Sequence, residues 1–247
     1  MQEVSEFPNT VVKLLKRIQN KILRYTRSIF SKRIIRQVRK AGLSFLSPMA
    51  LTDIYRTVKR LEKQEVKGIF IEAGCALGGS AIVISKAKSP QRPFFIYDAF
   101  GMIPSPSEND GVDAHARYEI ITSGQAKGIN QKPYYGYEKD LLNKVKKNFK
   151  DFGVSLDREN IYFVKGLYQD TFRIQQEVAF AHIDADWYES VMICLEEIEP
   201  HLVSGSIMII DDYYDWQGCK KAVDTFFADK KESYHFVKKS RLHIMRK

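Results

Sequence analysis

The chain has 247 residues, 44% apolar and 28% charged, with 14 Gly and 8 Pro. That make-up belongs to an ordinary folded protein of one large domain, or one domain plus an extension, and excludes disordered, collagen-like and coiled-coil classes. The net charge of +9 is local: residues 11–40 hold eleven of the 39 basic residues and none of the 30 acidic ones, leaving 28 basic against 30 acidic elsewhere. A nucleic-acid-binding core is therefore not expected.

No stretch approaches the ~20 consecutive apolar residues of a membrane span, and the first residues lack the apolar core of a secretory signal, which predicts a cytoplasmic protein. Cys75, Cys194 and Cys219 are far apart and show no C-x-x-C spacing. They read as reduced core or near-site thiols.

In chain order, residues 1–43 form a basic helical extension. Val11, Leu15, Ile18, Ile22, Tyr25 and Ile29 recur at three- and four-residue steps, with Lys13, Arg17, Lys21, Arg24 and Arg27 between them. Such a helix either lies peripherally on an anionic membrane through residues 11–40 or packs on its own domain or on a second subunit. Assembly into a homo-oligomer is expected.

Residues 44–247 form the second unit. Ser47-Pro48 supplies an N-cap and a first-turn proline for a helix whose face is Leu51, Ile54, Val58 and Leu61. Strands are predicted at Ile69–Ala73, Phe94–Asp98, Ile161–Lys165, Ala179–Asp184 and Ser206–Ile210. Helices are predicted at 79–88, 137–151, 187–200 and 217–228. Near-continuous apolar strands alternating with helices mean an α/β protein with a mainly parallel sheet covered on both faces. Tyr234–Val237 and Leu242–Met245 read as a closing antiparallel hairpin, which brings the sheet to seven strands. From Ala99 to about Tyr135 there are several Pro and Gly and no long apolar period, so this stretch reads as a long functional loop at the ligand-binding edge.

Three motifs carry chemistry. Glu72-Ala73-Gly74-Cys75-Ala76-Leu77-Gly78-Gly79-Ser80 joins a buried strand to a helix, where glycines admit a ligand close to the backbone and free N–H groups face an anion. The spacing is not the dinucleotide G-x-G-x-x-G, which argues against an NAD-dependent oxidoreductase. Asp98 closes the next strand, where an acid can accept the hydroxyls of an adenosine ribose. The plainer reading is a tight turn and a helix cap.

The second and third motifs, Asp184-Ala185-Asp186-Trp187-Tyr188-Glu189 and Asp211-Asp212-Tyr213-Tyr214, close two further strands. Neighbouring parallel strands would bring Asp184, Asp211 and Asp212 together, and carboxylates so close cannot all ionise unaided. A hard divalent cation, Mg²⁺, would resolve the conflict. Asp186, with Glu189 three residues on, reads instead as a helix N-cap. Trp187, Tyr188, Tyr213, Tyr214 and Trp216 either stack on a sugar or planar acceptor or simply cover the core.

Together with Asp98-Ala99-Phe100-Gly101-Met102-Ile103-Pro104, Lys165-Gly166-Leu167-Tyr168-Gln169-Asp170-Thr171 and Gly218-Cys219-Lys220-Lys221-Ala222-Val223-Asp224, these motifs resemble the macrocin O-methyltransferase family from about Ser44 onward. The resemblance implies a Rossmann-like class I methyltransferase that is S-adenosylmethionine- and Mg²⁺-dependent and methylates a sugar hydroxyl of a glycosylated metabolite. It implies metal ligands at Asp184, Asp211 and Asp212. It implies cofactor contacts at Glu72, Ala73, Gly74, Gly79, Ser80, Asp98, Ala99, Phe100, Gly166 and Asp184.

The family's general-base histidine would fall near Lys132, where this chain has lysine. His115 in the long loop is the first candidate base, since its ordinary pKa of ~6.5 suits the task, and Lys132 is the second. The plainer reading of His115 is an exposed loop residue. His182, within a strand, reads as a packed core histidine. Two other functions remain open at this point: a catechol-type O-methyltransferase, and a non-catalytic membrane-associated protein that keeps the cofactor site.

Overall fold

The computed structural model describes residues 30–247. The predicted apolar face from Val11 to Ile29 lies outside the described residues. The first described helix, α1, runs over 30–41, and its Ile34, Ile35 and Val38 are buried in the same core as the next two helices. The part of the basic extension from residue 30 onward thus packs on its own domain.

Helix α2 (Pro48–Lys63) starts as its sequence dictates, with Pro48 in the first turn and Ser47 Oγ accepting from Ala50 N at 3.1 Å. The elements that follow are β1 (Ile69–Ala73), α3 (Gly79–Ala87), β2 (Phe94–Asp98), α4 (Val112–Thr122), α5 (Leu141–Asp151), β3 (Ile161–Lys165), the single turn α6 (Tyr168–Thr171), β4 (Val178–Ile183), α7 (Tyr188–Ile198), β5 (Leu202–Ile210), α8 (Gln217–Phe226), β6 (Tyr234–Lys238) and β7 (Leu242–Arg246). The strands form one seven-stranded sheet in the order β3-β2-β1-β4-β5-β7-β6. β1 to β5 run parallel, and β7 pairs antiparallel with both β5 and β6.

Apolar clusters cover both faces of the sheet, which is why β1 and β4 are apolar almost throughout and buried along their whole length. Strand order reverses between β1 and β4. Their carboxyl ends therefore open a crevice at the place where open α/β sheets take ligands. Among the described residues no helix is long and apolar enough to cross a membrane.

The stretch after β2 differs from the loop predicted for it. It contains the three-turn helix α4 and two short 3₁₀ turns, at Ile129–Gln131 and Tyr135–Tyr137. Only Ala114 and Ile121 of α4 are buried. A helix that covers so little core leaves no apolar period to read.

Candidate active site

The first wall of the crevice is the glycine turn after β1. Gly74 takes a left-handed φ of +84°, and a Cβ there would stand 1.9 Å from the Asp184 carbonyl oxygen. Only glycine lets the ends of β1 and β4 approach this closely. Asp98 holds the turn from the neighbouring strand: Oδ2 accepts from Cys75 N at 2.8 Å and Ala76 N at 3.1 Å, and Oδ1 accepts from Phe100 N at 2.6 Å. Burial raises the Asp98 pKa against these three hydrogen bonds.

Two cavities meet at Gly74, Asp184 and Asp186. One, of about 530 Å³, is lined by Asp98, Ala99, Gly101, Gly166 and Tyr168. The other, of about 1150 Å³, is lined by Ser44, Ser80, Arg117, Tyr134, Trp187, Asp211, Asp212, Trp216 and Arg241.

Of the residues expected to touch a cofactor, Gly74, Ser80, Asp98, Ala99, Gly166 and Asp184 line these cavities. Glu72, Ala73, Gly79 and Phe100 do not. Glu72 and Ala73 are fully buried within β1, Gly79 packs against the Leu43 carbonyl, and Phe100 stacks edge-on against Phe163.

The acidic wall also departs from expectation. Asp184, Asp186 and Asp212 place one carboxylate oxygen each within 4.8 Å of the others. Asp186 is not the N-cap of α7: its φ of +56° turns the chain at the cavity, and the cap position falls to Trp187. Asp110 from the preceding stretch serves the helix instead, with Oδ1 accepting from Tyr188 N at 2.7 Å. Asp211 lines the same cavity outside that triad, and its Oδ1 accepts from Arg241 Nε at 2.8 Å and faces His182 Nε2 at 3.6 Å.

The electrostatics follow from this arrangement. Burial and neighbouring Asp211 push the Asp186 carboxyl up to about 6. Burial and the surrounding carboxylates hold Asp184 and Asp212 well above the usual range. At Asp211, His182 and Arg241 outweigh burial and lower the pKa. His182 is buried, but its contacts with Asp211 and with Glu72 Oε1, 2.9 Å from its Nδ1, raise it to about 9. It is a core histidine, as expected. Sequence reading missed its pairing with Glu72, although their registry on adjacent strands β1 and β4 carries that signal. Three crowded carboxylates kept from ionising together fit a divalent cation as the group that would relieve them.

Neither proposed base enters the joined cavities. His115, on α4, places Nε2 3.1 Å from Ser107 O and is exposed, because the predicted loop residue is tied down by its helix. Lys132 lines a separate, adjoining cavity of about 970 Å³ with Phe45, Tyr134 and Tyr135. Of the aromatic residues, Trp187 and Trp216 reach the larger cavity and pack edge to face at 5.3 Å. Tyr188, Tyr213 and Tyr214 lie beneath Lys221, Lys220 and Lys238 respectively. The three cysteines are buried and free.

Sheet order, glycine turn and the acid after β2 together define a class I methyltransferase fold. The Macrocin-O-methyltransferase (TylF) family model matches residues 12–237, and the chain belongs to that family.

Among curated proteins it is similar to the 8-demethyl-8-(2,3-dimethoxy-alpha-L-rhamnosyl)-tetracenomycin-C 4'-O-methyltransferase of Streptomyces olivaceus, 28% identical over 182 residues, 71% of this chain and 64% of that protein. It is also similar to the demethyldecarbamoylnovobiocin O-methyltransferase of Streptomyces niveus, 27% identical over 184 residues, 72% of this chain and 65% of that protein. The chain thus spans just under two thirds of the length of these two relatives.

The O-methyltransferase NovP has the same fold, with a TM-score of 0.71 at 21% identity over 89% of this chain and 99% of that one. The calicheamicin methyltransferase CalS11 follows at a TM-score of 0.58 and 17% identity, over 79% of this chain and 77% of that one.

Proposed function

We propose that the protein is a cytoplasmic, S-adenosylmethionine- and Mg²⁺-dependent O-methyltransferase that acts on a sugar hydroxyl of a glycosylated natural product. The observation that carries this reading is the junction of the two cavities at Gly74, Asp184 and Asp186, with a nucleoside-type acid on one side and crowded carboxylates on the other. The relatives' names, which mention a rhamnosyl tetracenomycin and a novobiocin precursor, support a glycoside acceptor.

When bound, S-adenosylmethionine supplies the methyl group and the cation lowers the pKa of a coordinated hydroxyl. The chain's own part is to bind and orient. Asp98 and the Gly74–Ser80 turn form the cofactor wall, and Asp184, Asp186 and Asp212 would hold the cation. Trp187 and Trp216 offer ring faces to a sugar. The bases lining the joined cavities are carboxylates, with no histidine among them. Neither His115 nor Lys132 lines the joined cavities, so the His115→Ala and Lys132→Met variants should keep most of their methyl-transfer rate. A loss of a hundred-fold or more in either variant would restore that residue as the base.

Calorimetric titration with S-adenosylmethionine and S-adenosylhomocysteine, with and without Mg²⁺, tests the reading. Micromolar binding of both, followed by methyl transfer to glycosides with vicinal hydroxyls, is the expected result. Absence of heat and of thermal stabilisation would overturn it, and activity on catechols alone would move it to the catechol class. Two further parts of the reading are homo-oligomeric assembly, tested by sedimentation velocity, and peripheral membrane contact through residues 11–40.

A further inference from the structure

Helix α1 divides sharply between its two sides. Ile34, Ile35 and Val38 fill the core, while Lys32, Arg33, Arg36, Arg39 and Lys40 are exposed, and residues 11–40 contain no acidic residue. Lys32, Arg36, Arg39 and Lys40 line a groove closed on the other side by Pro48 and Thr52, with no carboxylate in its lining. Large apolar side chains accompany these cations: Phe30 is 47% exposed, Phe45 52% and Met49 67%.

One side chain joins this surface to the catalytic crevice. The Arg39 guanidinium donates to the carbonyls of Ser44, Phe45 and Leu46, at 3.3, 3.4 and 2.8 Å. Ser44, Phe45 and Leu46 in turn line the larger cavity, and Phe45 also lines the adjoining tyrosine-rich one.

We infer that the outer face of α1, with Phe30, Phe45 and Met49, is a docking surface for an anionic bilayer that seats the mouth of the acceptor cavity at the lipid interface. The inference deepens the membrane contact proposed above by naming the face and the lipid class, and it does not depend on the methyl-transfer chemistry.

Charge selects this occupant. A row of cations without acids meets anionic headgroups favourably, whereas a second copy of the same face would oppose like charges. The exposed Phe and Met side chains suit the headgroup boundary, where apolar groups insert between lipids. A nucleic acid is disfavoured because the rest of the chain is nearly neutral.

The test is co-sedimentation of the full-length protein with phosphatidylcholine vesicles, with and without phosphatidylglycerol. It is run for wild type, for the triple variant Lys32→Glu, Arg36→Glu, Lys40→Glu, and for Phe30→Ser with Met49→Ser. All substitutions are on exposed positions, and circular dichroism with thermal melting verifies folding.

Wild type should partition onto anionic vesicles only. The charge-reversal variant should lose more than about a hundred-fold in partition coefficient, since removing three basic residues at the usual contribution near the surface already does so and the added carboxylates repel the lipid. The Phe30/Met49 variant should lose a smaller factor and keep its salt dependence.

Retained binding by the charge-reversal variant would assign the contact to residues before 30 and overturn the inference for this face. Absence of wild-type binding would overturn it together with the membrane contact, while leaving cofactor binding untouched. Preference for a DNA or RNA duplex over vesicles, or self-association that the triple variant abolishes, would replace the bilayer with that partner.

Discussion

Asp211 and Asp212 are adjacent in sequence and both nearly buried, yet their settings differ. Asp211 is neutralised by Arg241 and His182, whereas Asp212 faces Asp184 and Asp186, with Oδ2 accepting from Asp186 N at 3.2 Å. Asp186→Asn and Asp212→Asn should therefore abolish tight Mg²⁺ binding in a calorimetric titration. Asp211→Asn, acting only through the field and the shape of the site, should weaken it by about 10- to 100-fold, as a supporting residue does. A full loss at Asp211 with tight binding kept at Asp186 would reverse the ligand assignment.

A second residue-scale consequence concerns His243 on β7, which is buried with neither ring nitrogen bonded to the protein. Burial and Lys239 lower its pKa to about 4. The folded state thus binds this proton later than the unfolded chain, whose histidine titrates near 6.5. The neutral histidine's contribution to stability is complete above about pH 6.5 and lost as pH falls toward 4, with a size on the order of 3 kcal/mol. Urea unfolding from pH 7 to 4 should show a shallower decline in His243→Leu than in wild type. Equal slopes would remove His243 from the acid response.

At the scale of elements, the covering stretch and the sheet edge are locked by a few close contacts. Asp110 caps α7 through Tyr188 N and also accepts from Ser107 N at 2.9 Å, and a Cβ on Gly218 of α8 would stand 1.9 Å from Asp110 Oδ1. Trp187 Nε1 donates to Pro104 O at 3.0 Å. Asp110→Ala removes a helix cap and should lower the stability of the domain by about 1–2 kcal/mol, a fall in Tm of a few degrees. An unchanged Tm would mean the cap is dispensable. Gly74→Ala is a harsher change, because it adds left-handed strain to a steric overlap with Asp184 O. It should destabilise by several kcal/mol or prevent folding, and a wild-type thermal melt would show that β1 and β4 can separate.

Taken as a whole molecule, the parallel core was the most legible part of the chain. β1, β2 and β3 lie where the sequence predicts, and for β1 and β2 the reason is that a strand buried on both faces must be apolar almost throughout. β5 extends back to Leu202, four residues earlier than predicted, because Ser204 and Gly205 interrupt its apolar run. Helix α4 was hidden for the opposite reason, as it buries two side chains and carries a mostly polar surface over the site.

The site was legible where chemistry depends on residue type at a strand end: Gly74, Asp98, Asp184 and Asp212 all reach the crevice. It was illegible where backbone conformation decided. Asp186 fits a capping pattern by spacing and enters the acidic cluster only because its φ is positive. The sequence places His115 in a loop that could reach over the crevice, whereas the structure puts it on α4 outside the joined cavities.

The backbone hydrogen bond from Gly79 N to Leu43 O, 3.1 Å long, has a consequence for how the molecule responds to its surroundings. It fastens the first residue of α3, immediately after the glycine turn, to the segment that Arg39 anchors below the outer face of α1. This contact joins the two surfaces along with the Arg39 hydrogen bonds and the shared core, and any factor a bilayer contributes to cofactor affinity through it the cofactor must return to bilayer affinity. Measuring vesicle binding with and without S-adenosylhomocysteine reads that factor directly, and a ratio of one would show that the two sites are uncoupled.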